Sequence, residues 1–266
     1  MKQLPKTKNC KLELENDWLT IWFNNPEKRN ALSEELLTEI RTTLKSVKEE
    51  KHIRGILFRG KGGTFCAGAD LKDLKRITHT QIDSQDLAFE MSFKIGKLFE
   101  QISKIPQISI SVIEGAGMAG GLGIACATDI IITMADTRYA FTETRLGLIP
   151  IQIMPYVLNR ISLNQAKKLM LLGNSFDGIQ AYDMGMADYI AKNEKELDEH
   201  IINIKEMVKK SGPNAIAKTK KLLSEYYTIN INRAAKLFSQ SVVTKEGKEG
   251  LSSFFDKRDP YWNSKK

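Results

Sequence analysis

A chain of 266 residues and 30.0 kDa can bury a large core, as one big domain or as one domain with an appendage. Hydrophobic content of 42%, charged content of 27% and only 7 prolines exclude disordered, fibrous and low-complexity classes. The net charge of +8 is concentrated towards the end, six of the eight charges falling within residues 192–266. They are scattered through helical patterns, without aromatic interleaving or a zinc or helix-turn-helix signature, so no nucleic-acid partner is expected.

No secretory signal is read in Met1–Lys8, and the most apolar stretch, Ile105–Ala135, is interrupted by Glu114 and Asp129, so no membrane span is expected. Cys10, Cys66 and Cys126 are odd in number, lack metal-like spacing and sit among apolar residues. They read as small buried hydrophobes in a reducing, cytoplasmic compartment.

In chain order, Lys11–Glu15 and Trp18–Asn24 alternate around Asn16-Asp17, a hairpin signal. The polar loop Asn25–Asn30 comes next, and Ser33 caps a predicted helix with apolar positions Leu36, Leu37, Ile40, Leu44 and Val47. Strand Gly55–Phe58 leads to a first small-residue turn, Thr64–Asp70. A helix over residues 84–103 precedes Ile108–Ile113, whose alternation predicts a half-buried strand. This strand delivers a second turn, Glu114–Gly123, which opens a short helix. Extended runs are read at Asp129–Met134 and Tyr139–Phe141, and helices are predicted over 196–210, 213–225 and 233–247, with Pro213 at a first helical position. The repeated strand, turn and helix argue an α/β fold with helices outside strands. The chain is divided into a core over 1–194 and a helical region over 195–266.

The two turns carry the functional signal. Glycine and alanine let main-chain N–H groups approach a ligand unobstructed, and two such groups aimed at one oxygen stabilise charge developing there. The chemistry would then centre on an enolate. Gly115–Gly120 also satisfies the dinucleotide pattern G-x-G-x-x-G, but only about eight residues separate Gly120 from the next strand, too few for the crossover helix. Gly55–Lys61 matches part of a phosphate loop, yet Gly62 stands where Ser or Thr should hold magnesium. There is no G-x-S-x-G elbow, and His52, His79 and His200 form no ligand cluster.

Taken together, Asn25–Leu32, Phe65–Leu71, Ala119–Gly123 with Ala127–Asp129, Phe141–Pro150 and Glu249–Arg258 resemble, in order, the motifs of the crotonase (enoyl-CoA hydratase/isomerase) superfamily over nearly the whole chain. The resemblance implies a spiral of ββα repeats and, after it, helices that form a trimer, or two stacked trimers. It implies an acyl-CoA substrate and no cofactor or metal beyond the coenzyme A of that substrate. Ala67 and Gly120 would donate the two N–H groups to the thioester oxygen. Lys28, Arg29, Ala31, Ala69, Asp70 and Leu71 would bind CoA, joined by Phe254 and Lys257, in the family from a neighbouring subunit.

Glu143, between two threonines, reads on its own as a surface residue; in register with Leu146–Pro150, the family resemblance implies that it is the general acid/base, with Phe141, Leu146 and Leu148 expected to supply burial. The sequence departs from two-glutamate hydratases at Gly123, where a second carboxylate is expected. Asp86 and Glu90 are weighed as substitutes against a solvated helix face. The segment Ile151–Val157 and Gly123 are similar to relatives that hydrate branched enoyl-CoA esters of methylglutaconyl or isohexenylglutaconyl type. Hydration is therefore the leading expectation. An isomerase, a glutaconyl-thioester decarboxylase and a non-catalytic acyl-CoA binding module are the alternatives.

Overall fold

The computed structural model describes residues 4–70, 72, 73, 75, 84–225, 240, 242 and 244–263. Strands β1 (Cys10–Glu15) and β2 (Trp18–Phe23) form the expected hairpin, with Asn16 and Asp17 both at positive φ in its tight turn. β2 leads on to α1 (Glu34–Val47), where the Ser33 hydroxyl accepts the Leu36 N–H at 3.3 Å and all five predicted apolar positions are buried. Then come β3 (Gly55–Gly60), α2 (Ser84–Lys104), β4 (Ile108–Ile113), β5 (Ala116–Met118), α3 (Gly120–Ala127), β6 (Ile130–Met134) and β7 (Arg138–Ala140). The remaining elements are α4 (Met154–Leu158), α5 (Leu163–Leu172), β8 (Phe176–Asp177), α6 (Gly178–Asp183), β9 (Tyr189–Ala191), α7 (Glu194–Lys209), α8 (Pro213–Leu223) and α9 (Lys245–Phe255). The helix expected over 233–247 lies largely outside the described residues.

The strands form two sheets. A large sheet runs β1-β2-β3-β4-β6-β9, parallel from β2 onward, and a small one runs β5-β7-β8. The small sheet is extended by a parallel bridge between Cys66 and Gly117 and another between Leu32 and Ala69. Each coil of the chain thus contributes one large-sheet strand, one short small-sheet segment and a helix, the spiral ββα repeat.

The sequence and structure differ at β4. Ser109 and Ser111 are fully buried, as are Ile110, Val112 and Ile113, so the strand is enclosed on both faces. The serines tolerate burial because they are paired: Asp129 accepts the Ser109 N–H and hydroxyl at 2.8 Å, and the Thr128 hydroxyl donates to Ser111 Oγ at 3.2 Å. Helices α1, α2 and α3 cover one face of the sheet, through residues such as Ile40, Leu98, Phe99 and Ile124. α7 covers the other. Its Leu197, Ile201, Ile204 and Val208 pack on Trp18, Leu57, Ile110, Val112 and Ile132. Burial of such side chains stabilises by roughly 1.5–3 kcal/mol each, so the first helix of the region expected to begin at 195 is part of the core.

All three cysteines are buried as free thiols. Burial pushes the Cys66 and Cys126 thiols up to about 12. No helix among the described residues is long and apolar enough to cross a membrane.

Candidate functional site

Three neighbouring segments of the small sheet run parallel: Cys66 pairs with Gly117 of β5, and Gly117 pairs with Tyr139 of β7. Parallel segments send the chain out at the same edge. The residues emerging there are Ala67–Asp70, Ala119-Gly120 and Phe141–Glu143, so topology gathers the two turns and the candidate acid/base at one place.

The first turn is constrained by the loop before α1. The Ala67 N–H donates to the Arg29 carbonyl at 3.0 Å, and the Gly68 carbonyl accepts the Leu32 N–H at 2.7 Å. This corrects the expectation for Ala67, whose N–H is engaged within the protein. The Ala69 N–H has no acceptor among the described residues. It lies close to the second turn: a Cβ built on Gly120 would be 4.0 Å from the Ala69 nitrogen and 3.8 Å from Gly68 Cα. Gly68 adopts φ +89°, which only glycine takes without strain.

Gly120 opens α3, so its N–H has no intrahelical acceptor, and the positive end of the helix dipole coincides with it. The residue before it is strained. Ala119 has φ 44° and ψ −116°, a conformation that typically costs about 1–3 kcal/mol in a non-glycine residue. It is held there by its own N–H donating to the Ala140 carbonyl at 3.0 Å and by the Gly123 N–H donating to its carbonyl at 3.2 Å. The strain sets the orientation of the peptide that presents the Gly120 N–H.

Glu143 begins a 3-10 helix, Glu143–Leu146, whose end is closed by Gly147 at positive φ. Its Oε2 is enclosed and has no hydrogen-bond partner among the described residues. Burial raises the carboxyl pKa above its ordinary value, opposed in part by a backbone hydrogen bond. Phe141 is fully buried close by in the chain, as expected, but Leu146, at the end of the 3-10 helix, and Leu148, beyond it, are 62% and 46% exposed. Asp86 and Glu90 are exposed on α2, the solvated reading of that helix face.

Gly123 is buried, and the space a side chain would need is already filled. A Cβ there would sit 2.4 Å from the Phe99 ring and 2.5 Å from Ile153 Cγ2. One turn earlier on α2, Gly96 leaves room for the Gln152 amide, whose Nε2 donates to Ser92 Oγ at 3.0 Å. The sequence carries no signal for Phe99, Ile153 and the Ser92–Gln152 pair, since their significance depends on α2 lying against residues 152–156.

Of the residues expected to bind CoA, the structure brings Lys28 and Asp70 together, Nζ to Oδ2 at 3.4 Å. Asp70 is buried and also accepts the Lys72 N–H at 2.8 Å. Arg29 is exposed next to Lys28, and Ala31, its N–H donating to the Lys28 carbonyl, is buried beneath them. Leu71 and the Phe254 side chain lie outside the described residues. Lys257 is elsewhere: α9 and the residues after it pack at the opposite end of the sheet. There, Glu246 accepts the Asn214 and Ala215 N–H groups and Arg54, just before β3, donates to the Trp262 carbonyl. A cleft of about 1540 Å³ at that end, lined by Arg54, Lys205, Lys209 and Trp262, contains none of the turn residues.

The geometry defines an α/β protein in which two main-chain turns and a carboxyl with one enclosed oxygen leave the same edge of the small sheet. The enoyl-CoA hydratase/isomerase family model matches residues 13–265, and the chain belongs to that family. Its fold is the crotonase fold. An enoyl-CoA hydratase/isomerase of Marinobacter aquaeolei superposes with a TM-score of 0.91 at 33% identity, covering 96% of this chain and 99% of that one. AtuE of Pseudomonas aeruginosa gives a TM-score of 0.90 at 33% identity, covering 97% and 100%. Methylglutaconyl-CoA hydratase of Mus musculus is 27% identical over 94% of this chain and 81% of its own length.

Proposed function

We propose that this protein adds water reversibly across the double bond of an enoyl-CoA thioester, through an enolate held by the N–H groups of Ala69 and Gly120. The observation that carries the reading is the junction of an unpartnered N–H at Ala69 with the helix-opening N–H at Gly120, on the edge from which Glu143 also emerges. Two preorganised donors at the thioester oxygen stabilise negative charge as it develops; loss of one such donor typically costs about 3–4 kcal/mol of barrier lowering.

One carboxylate suffices for the proton inventory. Ionised Glu143 takes a proton from water as the water oxygen bonds to C3, and the π electrons move to C2 and the thioester oxygen. The carboxylic acid so formed returns the proton to C2 as the enolate collapses. Burial of Oε2 supports this role, because a raised pKa brings donor and acceptor forms closer in energy. Lys28 and Arg29 would meet CoA phosphates, the lysine as a point charge and the arginine as a planar fork, with Ala31 and Asp70 beside them; Leu71, outside the described residues, is carried by the family motif alone. Phe254 and Lys257 would reach CoA on a neighbouring subunit of a trimer, single or stacked in pairs, with 195 as the point where helices take over from strands. Exposed Ile149 and Ile151, a few residues after Glu143 in the chain, support such a cover. No cofactor beyond the substrate's CoA enters the mechanism, and the buried free thiols support a cytoplasmic setting.

Isomerisation is the second reading, favoured specifically by the apolar filling at Gly123. With no second carboxylate to hold water, Glu143 would remove a C2 proton from a 3-enoyl thioester and return it to C4 through a dienolate held by the same two N–H groups. Straight, branched and carboxylated enoyl-CoA esters incubated in heavy-oxygen water separate the two. Product carrying the label is expected, and branched or carboxylated esters of methylglutaconyl type are expected to be the better substrates. Label-free migration of the double bond would replace hydration by isomerisation, loss of carbon dioxide would indicate a decarboxylase, and binding without any product would leave an acyl-CoA binding module.

A further inference from the structure

The loop before α1 presents Lys28 and Arg29, but it also acts as a template for the first turn. Arg29 takes the Ala67 N–H and Leu32 gives its N–H to the Gly68 carbonyl, at 3.0 and 2.7 Å, while Leu32 and Ala69 are bridged in parallel. Bonds at the Ala67 N–H and at the Gly68 carbonyl therefore fix the Gly68–Ala69 peptide that presents the Ala69 N–H. The position of this template depends on one side chain. Asn30 is fully buried, and its Nδ2 donates both protons, to the Lys61 carbonyl at 2.9 Å and the Thr64 carbonyl at 2.7 Å. Its Oδ1 accepts the Asn25 N–H at 2.8 Å, and its own N–H donates to the Asn25 carbonyl at 2.9 Å.

A single amide thus joins the start of the loop to the Lys61 and Thr64 carbonyls, on the stretch that leads from β3 into the turn. Arg29 and Asn30 both adopt left-handed φ, 50° and 54°, a conformation that asparagine tolerates better than most residues. Two converging carbonyls need two N–H donors on one compact, uncharged group. Aspartate would put an oxygen against both, and alanine would leave both buried without a donor.

We propose that Asn30 is a positioning residue for the anion-stabilising junction: its amide sets the direction of the Ala69 N–H, and hence the polarisation of the substrate carbonyl, without touching substrate. The inference rests on the reading that Ala69 and Gly120 hold a thioester oxygen. A conjugated aminoaryl enoyl-CoA thioester reports that polarisation directly, since pulling charge onto its carbonyl oxygen shifts its absorption to the red on binding.

The wild-type protein is expected to give the red shift. Asn30→Ala and Asn30→Asp are expected to bind the probe but to lose most of the shift, with kcat falling roughly 100-fold, as for a small misplacement of a reacting group. Asn30→Ser, which keeps one donor and preserves folding if the others do not, is expected to fall between. Lys28→Ala should raise KM and leave the shift of bound probe in place. A wild-type shift retained by the folded Asn30 variants overturns this inference alone and reduces Asn30 to a loop stabiliser. A wild-type protein that binds the probe without any shift overturns the oxyanion reading and this inference together.

Discussion

A carboxyl group with one oxygen enclosed and unpartnered resists ionisation, and Glu143 is held in that condition beside the two turns. Because its folded pKa is raised, its contribution to stability is fully present below the unfolded carboxyl pKa, about 4.3, and is lost as pH rises through the folded value. Glu143→Gln should therefore be more stable than wild type at neutral pH, with the difference closing as the pH falls below that of an ordinary carboxyl. Thermal unfolding across pH 4 to 8 checks this, and a constant difference would show that the side chain is not confined as described. The same substitution should lower turnover by roughly 10²–10⁴-fold while leaving CoA-ester binding intact. Unchanged turnover would remove Glu143 from the chemistry. At this scale the sequence is only partly legible. The proposed roles of Glu143 and Gly120 follow from motif register, but the choice between Ala67 and Ala69 depends on which N–H the Arg29 carbonyl occupies, a contact between residues 38 positions apart that no local pattern encodes.

Among the elements, α3 shows why a missing carboxylate is a packed feature of this protein. Glycine within a helix normally yields to alanine with a gain of roughly 0.5–1 kcal/mol, but at position 123 the added methyl would meet Phe99 and Ile153 at 2.4 and 2.5 Å. Overpacking typically costs about 1–3 kcal/mol, so Gly123→Ala should lose roughly 1–2 kcal/mol, read as a lower urea midpoint at constant slope. Gly123→Glu should be destabilised further and should gain no hydration activity, because Phe99 and Ile153 occupy the place its side chain needs. A more active glutamate variant would show instead that α2 and the 152–156 segment can part. The hairpin, α1 and the strand-turn-helix rhythm are readable because local periodicity and caps decide them. The burial of β4 is not, since its serines are satisfied by Thr128 and Asp129 and its outer face is covered by a helix almost a hundred residues later.

The molecule as a whole separates the ends of its large sheet. The turns leave the carboxyl ends of β3 and β4, whereas the opposite end is tied to the helical tail by Lys220 of α8. Its Nζ donates to Asp129 Oδ2 at 2.6 Å and to the Gln107 carbonyl at 3.2 Å. Lys220 and Asp129 side chains are only 12% and 24% exposed, so the pair is shielded far more than a surface ion pair. Breaking a fully buried pair costs about 3–5 kcal/mol. Asp129 keeps its two bonds from Ser109 and some access to water, which places Lys220→Met nearer ~2 kcal/mol, a fall in Tm of about 4–8 °C. Since the clamp lies at the end away from Ala69, Gly120 and Glu143, kcat and KM measured well below the melting transition should match wild type. A variant that lost turnover while its Tm held would mean that the two ends of the sheet are mechanically coupled, and that the tail helices help to set the geometry of the site.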